Sequence, residues 1–209
     1  MNFCREGPTV FAIGRSVRLV VQTVLRSQVR LSRGLAGDLL VGLPDRWRHT
    51  IGVARRAEQL AAAVPGPDQE LLVVAAWLHD IGYSPAVMDT GFHSLDGAHY
   101  LERHGWPYRV CALVAHHSGA DYLAADPEIR RQLAAFAQED SPVTDALAYA
   151  DQTVGPIGQS MTLAERLDEA VHRHGPAKAG PRRARQPYLR AVEARVLERL
   201  RSGRSQSVS

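Results

Sequence analysis

Apolar residues along this chain recur at helical spacing, and they do not alternate with polar ones at the period of two that a half-buried strand requires. The stretch LLVVAAWL is apolar on every side and predicts a central buried helix from about Asp68 to Gly82. Upstream, Val53, Ala57, Leu60 and Val64 share an inward face with His49, predicting a helix over 45–63. Asp45 is its candidate N-cap, and Pro65-Gly66-Pro67 stop it. A loop, YSPAVMDTGF, follows the central helix. Further helices are expected over 93–104, 107–118, 127–138, 142–153, 162–174 and 184–201, with Gly105-Trp106-Pro107 separating the first two. Near the start, 15–33 puts Val17, Val20, Val21 and Val24 on one face and Arg18, Gln22, Arg26 and Arg30 on another, before Gly34, Gly37, Gly42 and Pro44 break the pattern. The fold class expected is all-α.

Charge divides the chain. Residues 1–40 carry a net +4, residues 41–177 a net −8 and residues 178–209 a net +7. A polynucleotide enzyme concentrates its positive field around its site, whereas here it lies at the ends, which favours a small substrate. The basic ends leave room for weak membrane or nucleic-acid contact. The organisation expected is a basic extension over 1–44, a core over 45–155, C-terminal helices over 156–201 packed on it, and a disordered tail over 202–209. No apolar run approaches the ~20 residues of a transmembrane helix. Arg15, Arg18 and Arg26 interrupt any signal-peptide segment, and Cys4 and Cys111 form no evident framework, so a cytoplasmic location follows by default.

The sharpest chemical feature is His79-Asp80, near the end of the most apolar helix. A carboxylate there is costly to bury unless a cation compensates it, and imidazole with carboxylate suits Mn, Fe, Co, Ni or Zn. A His-Asp pair capping a helix end is the commoner use of such a dipeptide when it stands alone. It does not stand alone. His49 lies on an inward stripe, and Asp151 falls one turn after Leu147 and one before Val154. Four ligand-type residues on three helices supply a metal set with open positions for water and substrate.

The order His…His-Asp…Asp, carried by RWRHT, AAWLHDIG and ALAYAD, resembles the HD-domain superfamily of metal-dependent phosphohydrolases over roughly 45–155. The resemblance implies a helical bundle, a divalent metal, and hydrolysis of phosphate esters or nucleotides. It also implies His49, His79, Asp80 and Asp151 as metal ligands, with His79 and Asp80 at the catalytic centre. His93, opening HSLDGA, resembles the helix start of binuclear members, including the HD-GYP phosphodiesterases and dinucleoside-tetraphosphate hydrolases. His116-His117, in LVAHHSGA, match the family's next histidine position. The resemblance thus implies one or two ions per chain. HDIGY has Tyr83 where HD-GYP proteins carry Lys, and SGADY replaces the GYP signature, so cyclic-di-GMP hydrolysis is not implied.

Arg46 and Arg48 flank Trp47 beside His49, and Arg109 opens the 107–118 helix; all three are candidates to bind phosphate bidentately, against the plain alternative of solvated or salt-bridged surface positions. Trp47 is a candidate for base stacking or for the core. No Ser or Cys sits in a nucleophile motif, so the expected nucleophile is a metal-activated water. Asp96 is a candidate to orient it, although a solvent-facing Asp explains the position equally well. The substrate expected is a small phosphorylated metabolite, nucleotides foremost. A metal-binding sensor or scaffold without turnover is the second reading, and a nuclease or RNA-associated protein using the basic ends is the third.

Overall fold

Ser32, Ala36 and Leu40, spaced four apart, form the buried stripe of helix α1 (28–40). The computed structural model describes residues 28–174 and 179–206, so most of the amphipathic segment expected over 15–33 lies outside the described residues. Gly34 and Gly37 do not end α1 as the glycine pattern suggests. The helix continues to residue 40, with Gly37 facing the Trp47 ring 3.5 Å from where a Cβ would stand.

Pro44 opens α2 (Pro44–Gln59), where its fixed φ and missing N–H cost nothing. Asp45 therefore falls in the first turn rather than at the N-cap, and its carboxylate takes Arg48. Helix α3 (Gln69–Leu78) buries every residue from Leu72 to Leu78 and is the central element, packed by α2, by α5 (Tyr108–His116) and by α7 (Pro142–Gln152). It stops at Leu78, four residues short of expectation, and His79-Asp80 lead into a 3-10 turn, Ile81–Tyr83. Helix α4 (His93–Arg103) packs on α5 across the turn at Gly105, where φ is +71°. Helix α6 (Pro127–Leu133) is shorter than the expected 127–138.

Helices α8 (Leu163–His174) and α9 (Ala179–Gln206) follow α7. Helix α9 starts before the expected 184 and continues through the region expected as a tail; only 207–209 lie beyond the described residues. Arg195 and Arg199 both bind the buried carboxylate of Asp145, which ties α9 to α7. Among the described residues there is no strand, only an isolated bridge between Val154 and Ser160, and no helix is long and apolar enough to cross a membrane.

The segment after α7 lies backbone to backbone on α2. Gly158 adopts φ +85°, and a Cβ there would collide with the Arg48 carbonyl. On the facing side, a Cβ at Gly52 would stand 2.7 Å from Val154 Cγ1. This close approach brings the Gly155 carbonyl to His49.

Candidate metal centre

Ligand-type side chains from α2, the end of α3, α4, the end of α5 and α7 converge in two groups. His49, His79 and Asp151 each offer one atom to the first, all within 4.8 Å of one another; Asp80, His93 and His117 form the second on the same criterion. Asp80 stands between them. Its Oδ2 is 3.6 Å from His49 Nε2 and 3.2 Å from His79 Nε2, while its Oδ1 is 3.4 Å from His93 Nε2 and 3.9 Å from His117 Nε2. His49 Nε2 lies 2.9 Å from Asp151 Oδ1, and the Nε2 atoms of His93 and His117 are 3.3 Å apart.

Backbone carbonyls set how three of these rings face. Nδ1–H donates to Gly155 O at 3.0 Å from His49, to Ala76 O at 2.8 Å from His79 and to Val114 O at 2.7 Å from His117. A carbonyl can only accept, so each Nδ1 carries its hydrogen and each Nε2 faces inward, where it donates to a carboxylate when protonated and offers its lone pair to a cation when not, as in metal-ligating histidine. His79 Nε2 is fully buried and has no well-aligned hydrogen-bond partner. A buried nitrogen left in this way is costly, and a cation satisfies it. The donor set of imidazoles and carboxylates fits a divalent transition metal.

Electrostatics point the same way. Burial alone would raise both carboxyls, yet Arg46 and His79 hold Asp80 well below the usual carboxylate range, and the hydrogen bond from His49 does the same for Asp151. Burial pushes His93 down to about 3 and lowers His117, with neighbouring cations adding to both shifts. Both imidazoles are therefore neutral and their lone pairs are available. Arg46 Nη1 lies 2.6 Å from Asp80 Oδ2, with its guanidinium 4.0 Å from the centre of the Tyr83 ring. Tyr83 stacks on His93 at 4.1 Å, and burial pushes its phenol up to about 12, so it remains protonated at neutral pH.

The structure brings together His49, His79, Asp80, His93, His117, Asp151 and Arg46. His116 departs from expectation. Helix α5 ends at this residue, and its ring turns away to Asp121 (3.0 Å) and to the Phe136 carbonyl (3.0 Å). Arg48 is spent on Asp45 at the surface. Arg109 is held by Asp68 and Glu139, away from the pocket. Asp96 neither faces solvent nor orients a water; it is fully buried and accepts from Thr90 N, Thr90 Oγ1 and Gly91 N, tethering the 84–92 loop to α4. Trp47 is half-buried and packs on the core against Trp77.

Sequence reasoning missed several pocket residues. Ser118, at φ +53°, donates its hydroxyl to Asp151 Oδ2 at 2.6 Å, and Gln152 Nε2 donates to the same oxygen at 2.6 Å. Arg166, Arg173, Arg182 and Arg185, from α8 and α9, line the same pocket. A signal existed for one of them: Arg166 interrupts the inward stripe of Leu163, Leu167 and Ala170.

The family model for the HD domain matches residues 46–154, a span that holds all six ligand-type residues and Arg46. The chain belongs to the HD-domain family. Members of this family are generally metal-dependent hydrolases, and the two His/Asp groups could each hold a metal. No curated protein and no solved structure matches the chain.

Proposed function

We propose that the chain is a metal-dependent phosphohydrolase acting on a small phosphorylated substrate of the nucleotide kind. The observation that carries this reading is Asp80, whose two oxygens face two separate histidine groups within one pocket. In this reading His49, His79 and Asp151 would hold one divalent ion and His93 and His117 a second, with Asp80 within reach of both. Bound divalent ions supply Lewis acidity toward phosphoryl oxygens and lower the pKa of water. Hydrolysis then forms a bond from a water oxygen to phosphorus and breaks the P–O bond to the leaving group, which takes one proton.

The protein's own residues do the rest. The Gly155, Ala76 and Val114 carbonyls fix the imidazoles of His49, His79 and His117, so none of these three rings has to reorient when the site is loaded. Ser118 and Gln152 hold the second oxygen of Asp151. Arg46, bound to Asp80, is placed to move its guanidinium onto a phosphoryl oxygen, with the Tyr83 ring guiding it. The protonated Tyr83 hydroxyl is a hydrogen-bond donor at the pocket. A cytoplasmic setting completes the proposal.

The test is elemental analysis of the purified protein, joined to hydrolysis of p-nitrophenyl phosphate and a nucleotide panel with Mn²⁺, Co²⁺ and Zn²⁺. One or two ions per chain and metal-dependent turnover are expected. A protein that binds metal yet hydrolyses nothing in the panel would be a sensor or scaffold and would overturn the proposal.

A further inference from the structure

The HD match ends at residue 154, yet the pocket does not. One wall comes from α8 and α9, and its polar lining there is arginine: Arg166, Arg173, Arg182 and Arg185. Like charges this close repel, and each of Arg173, Arg182 and Arg185 has its pKa lowered first by burial and then by its arginine neighbours. Glu169 offsets part of this by binding both Arg166 and Arg173. The pocket's carboxylates, Asp80 and Asp151, are already engaged by histidines and Arg46.

Two of the four guanidinium groups are nearly sealed from solvent. Arg166 is 6% exposed and Arg185 7%, and the Nε of each is buried without a hydrogen-bond partner. An unmet donor on a buried cation is among the costlier features a fold can keep, and an anion in the pocket relieves it. Arg185 also fixes where that anion lies. Its Nη1 donates to Ser118 O at 2.8 Å and its Nη2 to Gln152 Oε1 at 3.4 Å, and those residues directly follow the ligand-type His117 and Asp151. The arginine wall therefore begins one residue from the two ligand groups.

We infer that the arginines of α8 and α9 cradle additional phosphate groups, so that the substrate carries a linear chain of two or more phosphates. This rests on the phosphohydrolase reading. A single phosphate engaged at the His/Asp groups leaves the buried Nε groups of Arg166 and Arg185 unmet. A di- or triphosphate presents one phosphoryl group there and lays the others on guanidinium forks, which suit phosphate oxygens bidentately.

The experiment measures calorimetric affinity of the full-length protein, with Mn²⁺, for a methylene-bridged nucleoside triphosphate, inorganic tripolyphosphate and the nucleoside monophosphate. Hydrolysis of p-nitrophenyl phosphate is followed beside it. The triphosphate is expected to bind at least about tenfold tighter than the monophosphate, as charge-assisted phosphate contacts allow. That ratio should collapse toward one in Arg173→Ala and in Arg182→Ala. Arg166→Ala and Arg185→Ala empty buried positions and can fail to fold; Arg173 is at the surface, so its variant keeps the test open. Equal binding of nucleoside triphosphate and tripolyphosphate assigns recognition to the phosphate chain alone, and a stronger nucleoside form adds base or sugar contacts; the cradle stands in both cases. Equal affinity for mono- and triphosphate, with p-nitrophenyl phosphate still hydrolysed, overturns the inference and leaves the hydrolase reading intact. A triphosphate preference without any ester hydrolysis keeps the cradle and sinks the hydrolase reading.

Discussion

Replacing Gly82 by Ala tests how the two ligand groups are held in register. Gly82 sits in the 3-10 turn after Asp80, pressed on the start of α4, where His93 is the first residue. A methyl carbon at position 82 would stand 2.7 Å from the His93 carbonyl carbon and 2.8 Å from Gly97 N, and closer still to the His93 carbonyl oxygen. Non-bonded carbons settle at about 3.5 Å or more, so the turn and α4 must part by at least about 0.8 Å, and the carbonyl oxygen demands more. Metal–ligand distances tolerate about 0.2 Å. The displacement separates Asp80 from His93 directly, while His49, His79 and Asp151 lie on other elements. Overpacking of this kind costs about 1–3 kcal/mol, or a Tm lower by roughly 2–4 °C per kcal/mol in a domain of this size. Metal content, read by plasma mass spectrometry, should fall from about two to about one per chain. Gly34→Ala is the control: nothing lies within 4 Å of a Cβ there, the residue is inside α1, and the same substitution should stabilise the protein by about 0.5–1 kcal/mol. A Gly82→Ala protein with unchanged Tm and metal content would refute the reasoning.

Asp80→Ala should abolish metal content and activity together, since that carboxylate faces both histidine groups; elemental analysis and a Mn²⁺-supported ester assay report it, and retained activity contradicts it. His117→Ala should lower metal content, whereas His116→Ala should leave it unchanged and reduce stability by about 1–3 kcal/mol through the stranded Phe136 carbonyl. Arg109→Ala should leave ester hydrolysis at the wild-type rate and cost about 0.2–1 kcal/mol, as exposed ion pairs do. Arg109 lowers the pKa of both Asp68 and Glu139, so its contribution is present above their unfolded values near pH 4 and is lost as pH falls through the lower folded values. The Tm gap between wild type and Arg109→Ala should therefore be largest near neutrality and close on acidification; a gap that widens in acid contradicts the assignment.

His49, His79, Asp80 and Asp151 were legible because each is a polar residue on an inward face, where burial demands a partner. His116 and His117 were not separable, because the helix ends between them: ψ swings to 143° at His117, and adjacent side chains part company. Gly119, at φ +68°, signals a helix end nearby, but nothing in the residues sets it between His116 and His117, and Ser118 takes its positive φ without being glycine. Arg48 and Arg109 were plausible by sequence distance, but carboxylates at 45, 68 and 139 claim them first. The arginines of α8 and α9 entered the sequence reading only as ordinary charge, much of it in a basic end. Net charge carries no direction, and only packing turns that face toward the pocket.

Both ligand groups draw on residues from either side of one exposed surface loop. Cutting the chain after the solvent-facing Met88 would leave His49, His79 and Asp80 on one piece and His93, His117 and Asp151 on the other. Each group would then be shared between two polypeptides, neither able to build a site alone. The halves meet through the buried faces of α3, α5 and α7, so a nicked molecule that stays assembled keeps both groups whole. Metal retention after such a cut would count reassembled molecules one by one, and the chain would serve, unaltered in sequence, as a split reporter of its own association.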